Sequence, residues 1–457
     1  MKREEAAAIL DLPRDEAIRK ILELARKAEK YEQVFKDVSP TTPSGMTPVY
    51  TKPPGKKRRR KPGCKKGHPG SSRPRPEKID KYETHTASHC PDCDGRLGKP
   101  IKDYKRYVED IPPVEPEVTE HTVFGYWCPT CKKVVWAKMT ASLKNSQLGL
   151  RLVVFTAWLH YLVGVSVSNI VKLLQVFSQF KVTPGGLTQA WKNLALHLEP
   201  IYDSIGKTVA DSAVLHGDET GHRINGITHW LWAFATKSFC YYVIDRSRGS
   251  PVVKKVLGKI FHGILVCDFW GAYNKLCALA KQRCFYHLFT ELVKVDKKNP
   301  SVDWKAFRKK LCRLLRDAVR LSERKKKLST TDYTRHKNRL YQRLDQLLVF
   351  QSNDKDVKRL LKRLRRHRDE LFTFLEYDNV SPYNNHAEQQ MRRPAITRKI
   401  SQQNRSKLGA KVQAILLTLF QSAQLQKRNP VEMVLQMAKN LIDPKNETET
   451  EMQKEVA

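Results

Sequence analysis

The sequence predicts a multidomain α/β protein. Three observations predict this class: two Cys-Pro-x-Cys pairs, a β-rich region that begins near Ala213, and helical regions on both sides of it. At 457 residues the chain is long enough for about two to four domains and a sizeable core. A hydrophobic content of 40% excludes a wholly disordered chain.

The chain is strongly basic. It carries 84 lysines and arginines against 47 aspartates and glutamates, a formal net charge of +37. This excess predicts a polyanionic partner, because neutralised phosphates release counterions and so supply affinity without sequence preference. Nucleic acid is the first candidate, an anionic membrane surface the second, and a merely solubilising charge the third. No membrane span is expected, since the most apolar run, Leu152–Val167, is shorter than the ~20 residues that cross a bilayer. The charged N-terminus also lacks the apolar core of a signal peptide.

The N-terminal region predicts a helix followed by a linker. Apolar residues recur at helical spacing between Glu4 and Val38, which suits a short oligomerisation helix. Residues 39–63 are rich in Pro, Thr and Gly and have the composition of a linker. A run of six bases in this linker is either a solvated tail or an unstructured phosphate-binding arm. The run consists of Lys56, Lys57, Arg58, Arg59, Arg60 and Lys61.

Four cysteines carry the strongest local signal. Cys90 and Cys93 form one Cys-Pro-x-Cys pair, and Cys128 and Cys131 form the other, among short runs that resemble strands. Two intervening residues let a tight turn present both sulfurs to one ion, and four thiolates match tetrahedral Zn²⁺. The pairs therefore predict a closed structural zinc site in a reducing compartment. An iron–sulfur cluster and unligated thiols are the alternatives.

Residues 141–210 predict an all-helical region. Two helical segments, Ser166–Phe177 and Leu187–Leu194, flank a Pro-Gly-Gly turn with helix–turn–helix-like spacing. The pair is a candidate DNA reader, although helical hairpins are also common structural units.

The β-rich region predicts a mixed sheet with acids at strand ends. The expected strands are Val214–Glu219, Trp230–Thr236, Phe239–Asp245 and Gly263–Trp270, with a helix over Pro251–Lys259 before the last of them. Asp218 and Asp268 lie where two of these strands end. Each is either a turn or helix cap or a metal ligand, because a charge at the end of an apolar strand is costly unless it is paired or metal-bound. Glu219 is expected to face away from Asp218, since side chains alternate along a strand.

The C-terminal part predicts helices again. Residues 302–376 have basic amphipathic patterns, a further helix is expected near Ala410–Gln424, and the tail from Asn446 has a disordered composition. Glu388 stands alone among bases and amides just after the helix start predicted at Asn384. It either forms a surface ion pair with Arg392 one turn on, or it is the third carboxylate that a two-metal site requires.

In order and spacing, these motifs resemble transposases of the insertion-sequence-66 family. The resemblance covers most of the chain, including both cysteine pairs. Its other motifs are Lys61-Pro-Gly-Cys-Lys-Lys-Gly-His-Pro-Gly70, His216-Gly-Asp-Glu-Thr220, Asp268-Phe-Trp-Gly-Ala-Tyr-Asn274, Arg283-Cys-Phe-Tyr-His287 and Asn384-Asn-His-Ala-Glu388. The resemblance implies an RNase H-like mixed-sheet catalytic core with a helical insertion.

The resemblance also implies roles for single residues. Asp218, Asp268 and Glu388 match the family's catalytic triad of acids, which binds two Mg²⁺ or Mn²⁺ ions, beside one structural Zn²⁺ at the cysteines. Besides the six-base run, the expected DNA contacts are His287, Arg392, Arg393, Arg398 and Lys399. The implied partners are the transposon's terminal inverted repeats, target DNA, a second copy of the chain and element-encoded helper proteins, with no membrane. The implied location is the cytoplasm of a prokaryote, in association with the nucleoid.

The expected domains follow from these assignments. They are an N-terminal helix (1–38), a basic linker (39–63), a zinc ribbon (64–140), a helical region (141–210), the first part of the core (211–300), a basic helical insertion (301–377), the second part of the core (378–440) and a disordered tail (441–457). The function predicted is DNA cleavage and joining. A non-catalytic DNA-binding protein derived from a transposase and an RNase H-like nuclease without strand transfer are the alternatives.

Overall fold

The structure, a computed structural model, describes residues 13–37, 74–111, 114–400 and 403–444. The predicted linker with its six-base run, and the predicted disordered tail from Asn446, lie outside these residues. Helix α1 spans Arg14–Asp37 and confirms the N-terminal helix. Its apolar side chains Ile18, Ile21 and Leu22 are exposed.

The region of the cysteine pairs contains one β-hairpin. Strands β1 (Gly125–Cys128) and β2 (Lys133–Trp136) pair antiparallel, with Cys128 opposite Lys133. The prediction of several strands is wrong for the described residues before 125, which form only an isolated bridge between His89 and Arg96. Apolar side chains there are exposed, and those of Ile101 and Val118 almost fully so. Without a face to bury, such runs have nothing to hold them as strands.

The helical region contains three helices. Helix α2 (Leu150–Trp158) continues as a π-helical turn to Val163 and ends at Gly164, whose φ of 91° is a left-handed conformation that favours glycine. Helix α3 (Val167–Ser178) begins at the Ser166 cap. Helix α4 (Pro184–Ala210) begins at the Thr183 cap and is longer than predicted. The two predicted helical segments are thus confirmed. Within the described parts of the chain, no helix is long and apolar enough to cross a bilayer.

A five-stranded mixed sheet forms the centre of the protein. Its strands are β3 (Val214–Ile224), β4 (Ile227–Ala235), β5 (Cys240–Asp245), β6 (Ile260–Cys267) and β7 (Cys277–Arg283), and helix α5 (Ser250–Leu257) connects β5 to β6. The order across the sheet is β5-β4-β3-β6-β7. Strands β3, β4 and β5 are antiparallel neighbours, whereas β6 and β7 run parallel to β3. The four predicted strands are confirmed, and β7 was not predicted.

The basic helical segment packs on one face of this sheet. It comprises α6 (Phe285–Asp296), α7 (Val302–Glu323), α8 (Thr330–Leu348), α9 (Lys355–Arg366) and the short α10 (Thr373–Glu376). Its own core includes Trp304 and Phe372 and is continuous with Ile264 and Val266 of β6. At the β7 edge of the sheet, the hydroxyl of Thr373 donates to the carbonyl of Lys281 over 2.6 Å.

Three C-terminal helices complete the fold. They are α11 (Asn385–Ile400), α12 (Lys407–Leu425) and α13 (Pro430–Ile442). The first two were predicted and the third was not. Helix α12 lies along β5, where Thr418 and Ser422 accept hydrogen bonds from the backbone N–H groups of Tyr242 (3.0 Å) and Cys240 (3.1 Å). The outer edge of β5 is therefore hydrogen-bonded by side chains of a helix.

Gly263 permits the close approach of β6 to the start of β3, where the Ile264 N–H donates to the Ala213 carbonyl. A Cβ atom at Gly263 would lie 2.1 Å from the Ser212 carbonyl oxygen and 2.6 Å from the Phe261 ring. We expect Gly263→Ala to lower the free energy of unfolding by about 1–3 kcal/mol, because the backbone must shift. Urea denaturation measures this loss. Gly185→Ala, where a Cβ meets nothing within 4 Å, is the control, and an equal effect of both changes would contradict the packing argument.

Candidate functional site

The prediction that Asp218 ends a strand is wrong: Asp218 lies within β3, which continues past Glu219 to Ile224 because it pairs with β4 up to Ile227. Asp268 directly follows Cys267, the last residue of the adjacent parallel strand β6. The register pairs His216 of β3 with Val266 of β6, so Asp218 and Asp268 each lie two residues beyond a paired position. Asp218 Oδ1 accepts the Glu219 N–H over 3.0 Å, and Asp268 Oδ1 accepts the Trp270 N–H over 2.8 Å. Both carboxylates are half-buried.

Asn384 fixes the start of α11 beside β3. Its side chain, fully buried, donates to the Gly217 carbonyl over 2.8 Å, and its Oδ1 lies 3.1 Å from His216 Nδ1. Burial and the neighbouring His386 lower the pKa of His216 to about 4, so this ring is neutral at pH 7. The Asn384 carbonyl then accepts the Glu388 N–H over 3.1 Å in the first turn of α11. Glu388 is thereby held near the strand that carries Asp218.

The three acids interact electrostatically. Burial, reinforced by the negative charges of Glu219 and Asp268, raises the pKa of Asp218 well above its usual range, and Glu388 adds to this effect. One oxygen of Glu388, Oε1, is buried without a hydrogen-bond partner. A cation would relieve this repulsion at Asp218, and carboxylate oxygens are the ligands that Mg²⁺ and Mn²⁺ prefer. Asp218, Asp268 and Glu388 therefore offer the ligand type of a divalent metal, but the structure does not bring an oxygen of each within 4.8 Å of the others.

Glu388 lies next to His287 and not next to Arg392, its possible ion-pair partner in the sequence. His287 Nδ1 lies 3.7 Å from Glu388 Oε1, and no Glu388–Arg392 ion pair forms. Cys284, one turn before His287, completes a group whose ligand atoms all lie within 4.8 Å of one another. Burial raises the pKa of the Cys284 thiol to about 11. His287 was predicted as a DNA contact and Cys284 was not predicted, although the Cys-x-x-His spacing of the two residues is present in the sequence.

Arg283 holds the turn that carries Asp268. This fully buried arginine donates to the Asp268 carbonyl over 2.7 Å and to Asn274 Oδ1 over 2.8 Å, and it pairs with Glu370 at 2.5 Å. Glu370 lies in the basic helical segment, so this ion pair connects that segment to the site. No role was predicted for Arg283, although an arginine at the end of a strand can indicate an ion pair of this type.

Glu219 belongs to a different environment from Asp218. It is buried, pairs with Arg248 at 3.0 Å and accepts the Tyr273 hydroxyl over 2.9 Å. Burial and the charge of Asp268 raise the pKa of Glu219 to about 8, against the opposite effect of Arg248. Burial alternates along β3, which agrees with the expectation that Glu219 and Asp218 face opposite sides.

The predicted basic residues after Glu388 separate into two groups. Arg392, Arg393 and Lys399 are exposed on α11. Arg398 is half-buried and donates to the Gly221 carbonyl and, over 3.4 Å, to Thr220 Oγ1. Burial lowers its pKa. Arg398 therefore attaches α11 to β3, whereas the other three side chains are accessible to a phosphate.

The cysteine pairs each form a tight turn. Cys128 Sγ accepts the Cys131 N–H over 3.4 Å. Backbone hydrogen bonds lower the pKa of Cys90, chiefly from Asp92, and that of Cys128, chiefly from Cys131. Such N–H···S bonds favour the thiolate that zinc requires. The structure does not gather the two pairs into one group of ligand atoms within 4.8 Å of one another.

The repulsion at Asp218 predicts a stability effect. Because its pKa is raised on folding, the stability linked to this group is complete at low pH and is lost as the pH rises from the ordinary aspartate value of ~3.9 through the raised one. Without divalent cations at pH 8, we expect Asp218→Asn to be more stable than the wild type by about 1 kcal/mol in thermal unfolding. The difference should vanish at pH 3. Asp103→Asn, at an exposed site, is the control, and a less stable Asp218→Asn protein at pH 8 would contradict the argument.

The contacts of Asn384 predict that its replacement lowers the stability of the protein. Asn384→Ala leaves the Gly217 carbonyl and His216 without their partner in a buried position, so we expect a loss of about 1–3 kcal/mol in the free energy of unfolding. Urea denaturation measures it, with Asn338→Ala on the exposed face of α8 as the control. Unchanged stability of the Asn384→Ala protein would show that the position of α11 does not depend on the hydrogen bonds of Asn384.

Two family descriptions match the chain. The one named "Transposase IS66 family" matches residues 145–412, more than half of the 457 residues, and the one named "zinc-finger binding domain of transposase IS66" matches residues 87–132. No curated protein matches. The second match contains all four cysteines of the two pairs and supports a structural zinc. The matches suggest DNA binding and a DNA-cutting activity, and the first of them contains Asp218, Asp268 and Glu388. The chain belongs to the IS66 family of transposases.

Proposed function

We propose that this protein cuts transposon ends and joins them to target DNA, with Asp218, Asp268 and Glu388 as the catalytic acids. The observation that carries the proposal is the position of these acids: Asp218 lies on β3, Asp268 directly follows the adjacent parallel strand β6, and Glu388 lies on a helix attached to β3 by Asn384. They are far apart in sequence, and the effect of Asp268 and Glu388 on the pKa of Asp218 supports a shared cation.

The sheet supports an RNase H-like core. Three antiparallel strands are followed by two strands parallel to the first, in the order β5-β4-β3-β6-β7, with Asp218 on the central strand β3 and Asp268 directly after its neighbour β6. Helices α7 to α10 lie within the predicted insertion of residues 301–377, and α6 precedes it. Both features agree with what the sequence resemblance implied.

In this proposal Asp218, Asp268 and Glu388 would hold two Mg²⁺ or Mn²⁺ ions. Binding of these ions would supply acidification of a water or a 3′-hydroxyl and neutralisation of charge on the phosphate and the leaving oxygen. Arg283 and Asn384 keep Asp268 and Glu388 in place through their buried hydrogen bonds. The reaction is hydrolysis of a phosphodiester bond, which frees a 3′-OH, followed by attack of that 3′-OH on a phosphate of target DNA.

The remaining parts would bind DNA. The net charge of +37 and the exposed Arg392, Arg393 and Lys399 favour phosphate contacts next to the acids. His287 lies beside Glu388 and within reach of the same phosphate. The zinc ribbon, helices α3 and α4 and the six-base run Lys56–Lys61 would bind the terminal repeats. We further propose that the protein acts as at least a dimer, because two ends must be brought together, and that α1 contributes to that contact through its exposed apolar side chains.

The test is cleavage and joining of linear DNA that carries the element's terminal repeats, with Mg²⁺ or Mn²⁺. We expect Asp218→Asn, Asp268→Asn and Glu388→Gln to bind this DNA like the wild type and to lose cleavage by roughly 10²-fold or more, the scale for one electrostatic group at an active site. Glu376→Gln is the matched control, because Glu376 pairs with Lys337 at 2.6 Å, away from the three acids. Cleavage without joining would favour a nuclease, and binding without cleavage a DNA-binding protein. Full activity of the Glu388→Gln protein would contradict the choice of the third acid.

A further inference from the structure

Cys284, His287 and Glu388 form a group that the proposed reaction does not require as a group. Their ligand atoms lie within 4.8 Å of one another, and no other group of three or more cysteines, histidines or acids is this compact within the described part of the chain. His287 Nδ1 and Glu388 Oε1 are buried atoms with no hydrogen-bond partner, and they lie 3.7 Å apart. Two unsatisfied polar atoms that face each other are costly unless a third group joins them.

The fold brings these residues together through two helix starts. Cys284 is the cap residue of α6, and His287 follows one turn later on the same side. Glu388 lies in the first turn of α11. The Phe285 N–H donates to the Pro382 carbonyl over 2.9 Å, and the Asn384 N–H donates to Cys284 Sγ over 3.1 Å. The group is therefore fixed by backbone contacts, and a N–H···S bond of this kind is typical of metal-bound thiolates.

The donor atoms select the type of ion. Sulfur, imidazole nitrogen and one carboxylate oxygen suit Zn²⁺, whereas Mg²⁺ requires oxygen ligands. Zinc bonds to nitrogen and oxygen of ~2.0–2.2 Å in a tetrahedron separate the two ligand atoms by roughly 3.3–3.5 Å. The distance of 3.7 Å between His287 Nδ1 and Glu388 Oε1 is only slightly longer. The side chains of His287 and Glu388 are 41% and 30% exposed, so an ion has access from solvent.

We propose that Cys284, His287 and Glu388 form a zinc site that shares Glu388 with the carboxylate site and, when occupied, withdraws it from the divalent ions of the reaction. Zinc binding releases the thiol proton of Cys284 to solvent, and a water completes the fourth position. Zn²⁺ would then inhibit DNA cleavage in competition with Mg²⁺. The binding site stands on its own contacts, and only the inhibition rests on the proposed function.

Zinc content of the full-length chain tests the site. The protein is equilibrated with buffered Zn²⁺, dialysed and measured by elemental analysis. Cys284→Ser is the informative variant, because serine still caps α6 and still accepts the Asn384 N–H, but its hydroxyl is a poor zinc ligand. Cys277→Ser, at an exposed cysteine of β7, is the matched control. The ribbon contributes equally in all three proteins.

We expect the wild type and Cys277→Ser to hold one more zinc ion per chain than Cys284→Ser and His287→Ala, with the zinc-free forms of all four proteins unfolding at similar temperatures. Equal zinc in all four would overturn the site. In the cleavage assay, Zn²⁺ added at fixed Mg²⁺ should inhibit the wild type at least tenfold more strongly than Cys284→Ser, and equal inhibition would overturn the withdrawal of Glu388. The zinc count needs no DNA cleavage, so it decides the site even if the protein does not cut DNA.

Discussion

The arrangement of the site depends on one buried side chain, that of Asn384. The β3 backbone lies on one side of it and the start of α11 on the other, and its amide hydrogen bonds fix the distance between them. A buried amide that satisfies both a carbonyl and an imidazole has few other positions available. Once this contact is made, the first turn of α11 can place Glu388 only near the end of the sheet where Asp218 and Asp268 lie.

The basic helical segment is integrated with the sheet in two ways. Its apolar core continues into Ile264 and Val266 on one face of β6, and its Glu370 neutralises the buried guanidinium of Arg283. A buried arginine without this acid would be an uncompensated charge. The segment therefore also has a structural role: through Arg283 it supports the turn that carries Asp268. This role explains how an insertion between β7 and α11 is compatible with an ordered site.

Much of this organisation could be predicted from the sequence. Apolar strand patterns and helical periodicity are local patterns, and they located four strands and most of the helices. The end of β3 was placed too early, because the pairing of β3 with β4 continues to Ile224. Strand β7 was missed because its buried residues, Gln282 and Arg283, are polar and become favourable only through partners in the insertion. His287 was not predicted as the neighbour of Glu388 for a similar reason. Arg392 is close to Glu388 in sequence, but His287 is close to it in space. The two helix starts are joined by the Phe285–Pro382 and Asn384–Cys284 hydrogen bonds, which the sequence does not reveal.

The hydroxyls of α12 along β5 have a consequence for how copies of this protein associate. Sheets often extend from one molecule into the next by pairing of their free edges. Here Thr418 and Ser422 already accept hydrogen bonds from N–H groups of β5. At the opposite edge, Thr373 donates a hydrogen bond to a carbonyl of β7. A continuous intermolecular sheet through either of these strands would first have to displace a helix. In the proposed dimer, the two copies would therefore meet through surfaces other than these two strand edges.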